Sequence, residues 1–181
     1  MSPRLRADVV VNNLVGVACT TGEVLIQSDG TPWRPLVHVE DIARAFLAVL
    51  EAPRALVHNQ AFNVGRTEEN DRVRALADMV QSVVPGSVVR YAEGGGPDPR
   101  SYRVDCGKIA RTLPAFRPEW NVRRGMEQLR DAFRKTSLTR ERFFSDRYFR
   151  IKRILALQAG GELDGDMRGT SARRTAPAHV G

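Results

Sequence analysis

Hydrophobic positions in this chain recur with two periods, which predict helices and short strands in succession. The clearest helix has five apolar residues at helical spacing: Ile42, Ala45, Phe46, Val49 and Leu50. Glu40 and Asp41 stand in its predicted first turn, where carboxylates favour the positive end of the helix dipole. Pro53 marks its end, because proline cannot continue a helix.

The same reasoning assigns the rest of residues 1–135. Predicted helices cover residues 7–19, about 70–83, 106–113 and 122–133; the first also fits a strand, but its length favours a helix. Predicted strands cover residues 23–27, 36–39, 60–64, 87–92 and 101–105. Residues 93–99 hold three glycines and two prolines and are predicted to form a loop. Strands interspersed with helices are typical of α/β or α+β architecture.

The carboxy-terminal residues have a different pattern. A helix is predicted over residues 139–158, with one apolar stripe formed by Phe144, Tyr148, Ile151 and Leu155 and with arginines around it. From Gly161 onward the residues are small and polar, which predicts disorder. The chain is thus divided into residues 1–135, a basic amphipathic helix over 136–160 and a disordered tail over 161–181.

Composition bounds the class of protein. The 181 residues, 42% hydrophobic and 27% charged, suit a globular domain with a core. No apolar run approaches the ~20 residues of a membrane span, and the first residues lack the apolar stretch of a secretory signal. Two cysteines, Cys19 and Cys106, are expected to be reduced thiols in a cytoplasmic protein.

The net charge of +7 is the one unusual bulk property. Residues 1–135 carry a net +3 and residues 136–181 a net +4, so the tail supplies more than half of it. A solvated face with a basic tail explains this charge, and a polyanion partner is the alternative. Because no zinc-ligand spacing, recognition helix or RNA-binding motif is present, we expect no nucleic-acid, membrane or metal partner, with the tail as the open question.

Two arginines stand at positions that suit phosphate binding. Arg34 precedes a predicted strand and Arg100 ends the glycine-rich loop, where a guanidinium group can donate two hydrogen bonds to phosphate oxygens. Asn13 adds a neutral donor. A solvated surface role is the alternative for each. His38 is a conceivable general base, but its position before a helix start favours a structural hydrogen bond.

Five segments, in order, resemble the extended short-chain dehydrogenase/reductases, the NAD-dependent epimerases and dehydratases of nucleotide sugars. Residues 30–45 read G-T-P-W-R-P-L-V-H-V-E-D-I-A-R-A and are similar to the family's R-x-(F/L)-V-H-V-x-D-(V/I)-A-x-A segment. The other four segments are residues 12–14 (N-N-L), 62–65 (F-N-V-G), 98–113 (D-P-R-S-Y-R-V-D continuing to Lys108, Ala110 and Leu113) and 125–129 (G-M-E-Q-L). Residues 113–118 depart modestly from the family's L-G-W-x-P ending.

The resemblance implies a fold and a set of roles. The fold is α/β, the carboxy-terminal part of an NAD(P)-binding Rossmann-type enzyme that lacks the amino-terminal dinucleotide-binding half. Arg34 and Arg100 would pair with the substrate diphosphate, and Asn13 would donate to it. A base-proximal strand is implied at Leu25, Ile26 and Gln27. His38 and Asp41 would be structural.

The family's glycine-rich turn and its catalytic Tyr-x-x-x-Lys pair precede the region matched here. Tyr148 and Lys152 fit that spacing, but we expect Tyr148 to serve packing. The chain is therefore expected to be the substrate-binding portion of a nucleotide-sugar epimerase or dehydratase, with no catalytic residue and no activity or cofactor of its own. NAD or NADP would be the cofactor of the full-length parent, which would also supply the amino-terminal half as a partner. For the oligomeric state of the parent, a homodimer is one of the open alternatives. Alternatives are a non-catalytic nucleotide-sugar-binding module, or a tail helix that binds anionic membrane or nucleic acid.

Overall fold

Helices and short strands are interspersed along residues 5–96 and 98–170, the residues that the structure, a computed structural model, describes. The helices are α1 (Val10–Thr21), α2 (Val39–Glu51), α3 (Arg54–Val57), α4 (Val73–Val83), α5 (Gly107–Thr112), α6 (Val122–Lys135), α7 (Arg140–Phe143) and α8 (Arg150–Ala159). The strands are β1 (Glu23–Ile26), β2 (Trp33–Pro35), β3 (Asn70–Arg72) and β4 (Val88–Tyr91). The predicted α/β class is confirmed.

The helices with the strongest apolar periodicity form where the sequence predicts them. Helix α1 settles the ambiguity of residues 7–19 in favour of a helix, and it ends at Gly22, whose φ of 76° is left-handed. Helix α2 begins after His38, whose Nδ1 accepts a hydrogen bond from the backbone N–H of Glu40 at 3.2 Å. Helix α6 begins after Asn121, whose side chain caps the N–H of Arg124.

The four strands form two separate pairs within the described residues. Strand β1 pairs with β4 in parallel, with Glu23 opposite Val88 and Ile26 opposite Tyr91. Strand β2 pairs with β3 in antiparallel fashion, with Arg34 opposite Asp71. Parallel pairing requires a long crossover, which α2, α3 and α4 provide here.

Three of the predicted strands differ from the structure. The strand expected at residues 36–39 lies at Trp33–Pro35 instead, because the chain leaves the ladder so that His38 can cap α2. The segments 60–64 and 101–105 form no strand ladder. Side-chain amides bond to the backbone of the second segment: Asn63 Nδ2 donates to Asp105 O at 3.0 Å, and Asn70 bonds both backbone groups of Val104.

The main core lies where α1, α4 and α6 cover one face of β1. Its fully buried members include Val15, Val24, Leu76, Val80 and Met126. A second cluster, around Ala45, Ile109 and Phe116, packs α2 against α5. Both cysteines are free thiols.

The carboxy-terminal residues correct a prediction. The single helix expected at residues 139–158 is instead two helices, α7 and α8, separated by a turn from Phe144 to Phe149. The helix breaks because Phe143 inserts into the core beside Gly16 of α1 and is fully buried. Residues 161–170 form turns with a bridge between Leu163 and Gly169, and residues 171–181 of the predicted disordered tail lie outside the described residues.

Helix α2 has only part of its apolar stripe covered. Ala45 is buried, whereas the side chains of Phe46 and Leu50 are 68% and 82% exposed. Leu47 on the same helix is exposed as well. None of the helices in residues 5–96 and 98–170 combines the length and apolarity that crossing a bilayer requires.

Candidate functional site

A cleft of about 1380 Å³ runs between α1, the end of β1, the segment before α2 and the turn from Phe144 to Phe149. All six predicted site residues line it: Asn13, Leu25, Ile26, Gln27, Arg34 and Arg100. They come from four segments of the chain: α1, the end of β1, β2 and the end of the glycine-rich loop. The fold therefore brings the predicted residues together, although their roles stay predictions.

Arg34 is the anchored arginine of the cleft. It stands in β2, and its side chain is only 18% exposed. Its Nη1 donates to the carbonyl oxygens of Trp33, at 2.8 Å, and of Arg100, while Nη2 donates to Asp98 Oδ2 at 2.7 Å. These bonds fix the guanidinium group and tie β2 to the glycine-rich loop.

Arg100 meets the same carboxylate from the solvent side. Its Nε and Nη2 donate to Asp98 Oδ1 and Oδ2, both at 3.0 Å, in a two-pronged pair, and its side chain is 81% exposed. The Arg100 side chain and backbone N–H, together with the charge of Arg34, lower the pKa of Asp98 to about 2. Two guanidinium groups thus converge on one anionic group at the cleft wall.

Asn13 lies on α1 and lines the cleft. Its Nδ2 donates to the carbonyl oxygen of Ala7 at 3.0 Å. An amide nitrogen carries two N–H donors, so one of them is committed to the protein. The bond orients the amide relative to the cleft.

The predicted positions in β1 and just after it do not share one environment. Successive side chains of a strand alternate between its faces, and Ile26 points into the main core, where it is 1% exposed. Leu25 packs on the other side, against the cluster around Phe143, and Gln27 is exposed. Of the three, Leu25 and Gln27 therefore have side chains that can meet a molecule in the cleft.

His38 and Asp41 have structural partners. Besides capping α2, the His38 ring stacks on Trp120 with centroids 3.9 Å apart, and its Nε2 lies 3.1 Å from Gln128 Oε1. Asp41 is 1% exposed and accepts the backbone N–H groups of Glu119 and Trp120 at 2.9 and 3.0 Å. The expected structural role of both residues agrees with this geometry.

Tyr148 and Lys152, which have the spacing of the catalytic pair, are engaged elsewhere. Tyr148 packs against the cluster around Phe143, as expected from the sequence. Lys152 Nζ donates to the carbonyl oxygen of Phe144 at 2.7 Å and lies 5.1 Å from the ring centre of Phe149. The ammonium group therefore serves the turn from Phe144 to Phe149.

The described residues do not fit a dinucleotide cofactor. A dinucleotide pyrophosphate binds where a strand leads through a glycine-rich turn into a helix. In residues 5–96 and 98–170, β3 enters α4 without a glycine, and the glycines after β4 lead into an extended segment. The same residues contain no cluster of metal-ligating side chains.

Three features of the cleft were missed by the sequence reasoning. Asp98 was noted only as part of a motif; its spacing of two from Arg100 is the signal that was available. Phe144 and Phe149 line the cleft from the carboxy-terminal turn, where the sequence predicted a continuous helix. Trp120 joins the cleft through its stack on His38.

The fold is that of Rossmann-type nucleotide-sugar enzymes over part of their length. It matches UDP-glucuronic acid 4-epimerase from Bacillus cereus, solved with UDP-glucuronic acid and NAD, with a TM-score of 0.62 and 20% identity over 75% of this chain and 43% of that one. The dTDP-glucose 4,6-dehydratase from Bacillus anthracis, in complex with NAD, has a TM-score of 0.58 and 15% identity over 79% and 43%. UDP-glucose 4-epimerase from Thermotoga maritima, with UDP-glucose, has a TM-score of 0.57 and 26% identity over 72% and 40%.

A family model described as the NAD dependent epimerase/dehydratase family matches residues 3–65. The resemblance to extended short-chain dehydrogenase/reductases inferred from the sequence is therefore confirmed. The chain spans about two fifths of the length of these solved structures.

Proposed function

We propose that this chain is the carboxy-terminal, substrate-binding portion of a nucleotide-sugar epimerase or dehydratase. The observation that carries the proposal is the convergence of Arg34 and Arg100 on Asp98 at the wall of the cleft. A carboxylate that accepts hydrogen bonds from two guanidinium groups occupies a position suited to an oxygen anion. The diphosphate of a nucleotide sugar, with more oxygens and more charge, is the ligand we assign to these arginines.

The two arginines contribute to diphosphate binding in different ways. Arg34 is fixed by backbone carbonyl groups and needs little further ordering, so its hydrogen bonds to a phosphate cost little conformational entropy. Arg100 is exposed, so it would exchange its hydrogen bonds to Asp98 for bonds to the ligand. Asn13 donates its remaining N–H to the same diphosphate from α1. Leu25 lies toward the base, and Gln27 lies between the base and the diphosphate.

The chemistry of the parent belongs to residues outside this chain. In the full-length parent, NAD or NADP would supply the hydride transfer, and a tyrosine outside this chain would supply the acid–base chemistry. The described residues do not fit a dinucleotide, and Tyr148 and Lys152 serve packing and the carboxy-terminal turn. The chain therefore binds the substrate and leaves it unchanged.

The partner we assign is the amino-terminal, dinucleotide-binding portion of the parent. The exposed stripe of α2, formed by Phe46, Leu47 and Leu50, supports this assignment because an apolar face of this kind is covered in a stable assembly.

A calorimetric titration of the full chain tests the proposal. UDP-glucose and dTDP-glucose are expected to bind, whereas NAD and NADP are not. Incubation with a nucleotide sugar and NAD is expected to give neither NADH absorbance nor a new sugar. Absence of nucleotide-sugar binding would refute the proposal. Turnover by the chain alone would refute the claim that the catalytic residues lie outside it.

A further inference from the structure

Two stacked rings of the carboxy-terminal turn form one wall of the cleft. Phe144 and Phe149 lie with their ring centroids 6.0 Å apart and their planes 13° apart. Both are half-buried and both line the cleft. We call these two rings the aromatic wall.

The aromatic wall is held in place from three sides. Phe143 is fully buried and meets the edges of both rings, with centroids 5.1 Å from Phe144 and 5.8 Å from Phe149. Lys152 donates to the carbonyl oxygen of Phe144 and lies over both rings. The backbone N–H of Ala7 donates to the carbonyl oxygen of Tyr148 at 2.9 Å. The rings are therefore preorganised rather than free side chains of a tail.

Strand β1 connects the aromatic wall to the arginines. Leu25 packs in the same cluster as both rings. Just past the end of β1, the carbonyl oxygen of Gln27 lies against Gly95, and Asp29 N–H donates to Gly96 O at 3.3 Å, which places the loop of Asp98 and Arg100 at that end. At a rise of about 3.3 Å per residue, Leu25 and Gln27 are roughly 7 Å apart along the chain.

We propose that the aromatic wall holds the base of the nucleoside diphosphate whose phosphates bind Arg34 and Arg100. This inference rests on the proposed function and adds a recognition element from outside the segments that carry the family resemblance. A flat apolar surface at one end of the cleft and a cationic pair at the other match a molecule with a flat base at one end and a diphosphate at the other. An aromatic face binds any base by stacking, so the wall contributes affinity for nucleotides as a class.

Comparing inorganic pyrophosphate with UDP tests the inference, because only UDP carries a base. In calorimetric titrations, Phe149→Leu and Phe144→Leu are each expected to weaken UDP binding about tenfold, equivalent to about 1.4 kcal/mol, and to leave pyrophosphate binding unchanged. Phe149→Tyr keeps a ring and is expected to restore UDP affinity. Phe46→Leu, the same substitution at an exposed position away from the cleft, is the matched control.

The possible results distinguish the base-binding role of the aromatic wall from the proposed function. Wild-type UDP affinity in both leucine variants overturns the base-binding role and leaves the proposed function standing. Equal loss of pyrophosphate and UDP binding also overturns that role, because the change then acts on the whole cleft. If the unaltered chain binds neither ligand, both proposals fail.

A measurement on the unaltered chain removes any dependence on variant folding. With UDP bound, nuclear Overhauser effects are expected between the uracil ring protons and the protons of isotope-labelled phenylalanine. Their absence at saturating UDP would contradict the assignment.

Discussion

Arg34 Nη2 donates to Asp98 Oδ2 at 2.7 Å across 64 positions of sequence. The bond joins β2 to the end of the glycine-rich loop and places Arg100 on the same wall of the cleft, since Asp98 also accepts two hydrogen bonds from it. Asp98 thus orients two cations that would otherwise repel each other. The consequences of this arrangement can be measured.

The first prediction concerns the ionisation of Asp98. Its pKa of about 2 lies below the ordinary value of 3.8, chiefly because Arg100 donates to its side chain. A carboxyl with a lowered pKa in the folded state stabilises the fold above pH 3.8, and that contribution is lost as the pH falls toward 2. Arg100→Ala is expected to raise the pKa of Asp98 toward its ordinary value.

Carbon-13 NMR of the carboxyl groups measures this directly. Asp71 is the internal contrast, because burial raises its pKa. An Asp98 midpoint at or above 3.8 in the unaltered chain, or one that does not respond to Arg100→Ala, would contradict the prediction.

The second prediction concerns the contact between Phe143 and Gly16 of α1. A Cβ on Gly16 would collide with the buried ring of Phe143. Gly16→Ala is expected to lower the free energy of unfolding by about 1–2 kcal/mol, because overpacking costs about 1–3 kcal/mol and outweighs a gain of up to about 1 kcal/mol in helix propensity.

Gly125→Ala in α6 is the matched control for that change. Its Cβ would lie 3.7 Å from His38 Cδ2, an ordinary contact, so we expect it to stabilise the chain by about 0.5–1 kcal/mol. Urea unfolding measures both variants. Equal changes in the free energy of unfolding in the two variants would contradict the packing of Phe143 against Gly16.

The third prediction concerns the buried carboxylate of Asp41. Removing it leaves the N–H groups of Glu119 and Trp120 without their acceptor, so Asp41→Ala is expected to cost about 2–3 kcal/mol. Asp41→Asn keeps one acceptor oxygen and should cost less. Glu40→Ala, at the exposed neighbour, is expected to cost under about 1 kcal/mol; equal effects of the two alanine substitutions in chemical denaturation would count against the structural role.

The fourth prediction concerns the exposed stripe of α2. Phe46→Gln with Leu50→Gln is expected to raise the soluble concentration of the isolated chain, as anticipated from its uncovered apolar surface. The free energy of unfolding should change by no more than about 0.5 kcal/mol per site, as at other surface positions. Ala45→Gln, on the buried side, should destabilise; a large loss of stability in the double variant would mean that the stripe is already covered within the chain.

Helices proved easier to predict from the sequence than strands. The apolar positions of α4 and α6 recur every three or four residues, and a helix satisfies its own backbone, so local pattern suffices. A strand needs a partner, and residues 60–64 form no ladder; the side chain of Asn63 donates instead to the backbone carbonyl of Asp105. The predicted helix at 139–158 failed because burial of Phe143 in the core outweighs local periodicity.

Only those residues of the site that belong to sequence motifs could be predicted. Arg34 and Arg100 were named from their loops and from the family resemblance, and the structure brings both to one cleft. The spacing of two between Asp98 and Arg100 is a local signal for their pairing. The bond from Arg34 to Asp98 and the position of the aromatic wall in the cleft depend instead on contacts between distant segments.

Binding of UDP-glucose to three arginine variants, measured by calorimetry, tests the central claim most directly. Arg34→Ala and Arg100→Ala should each weaken binding about tenfold or more, since each removes charge-assisted hydrogen bonds to the diphosphate. Arg103→Ala, at a nearby arginine that stacks on Trp33, should leave the affinity within about twofold. Wild-type affinity in both Arg34→Ala and Arg100→Ala would contradict the account.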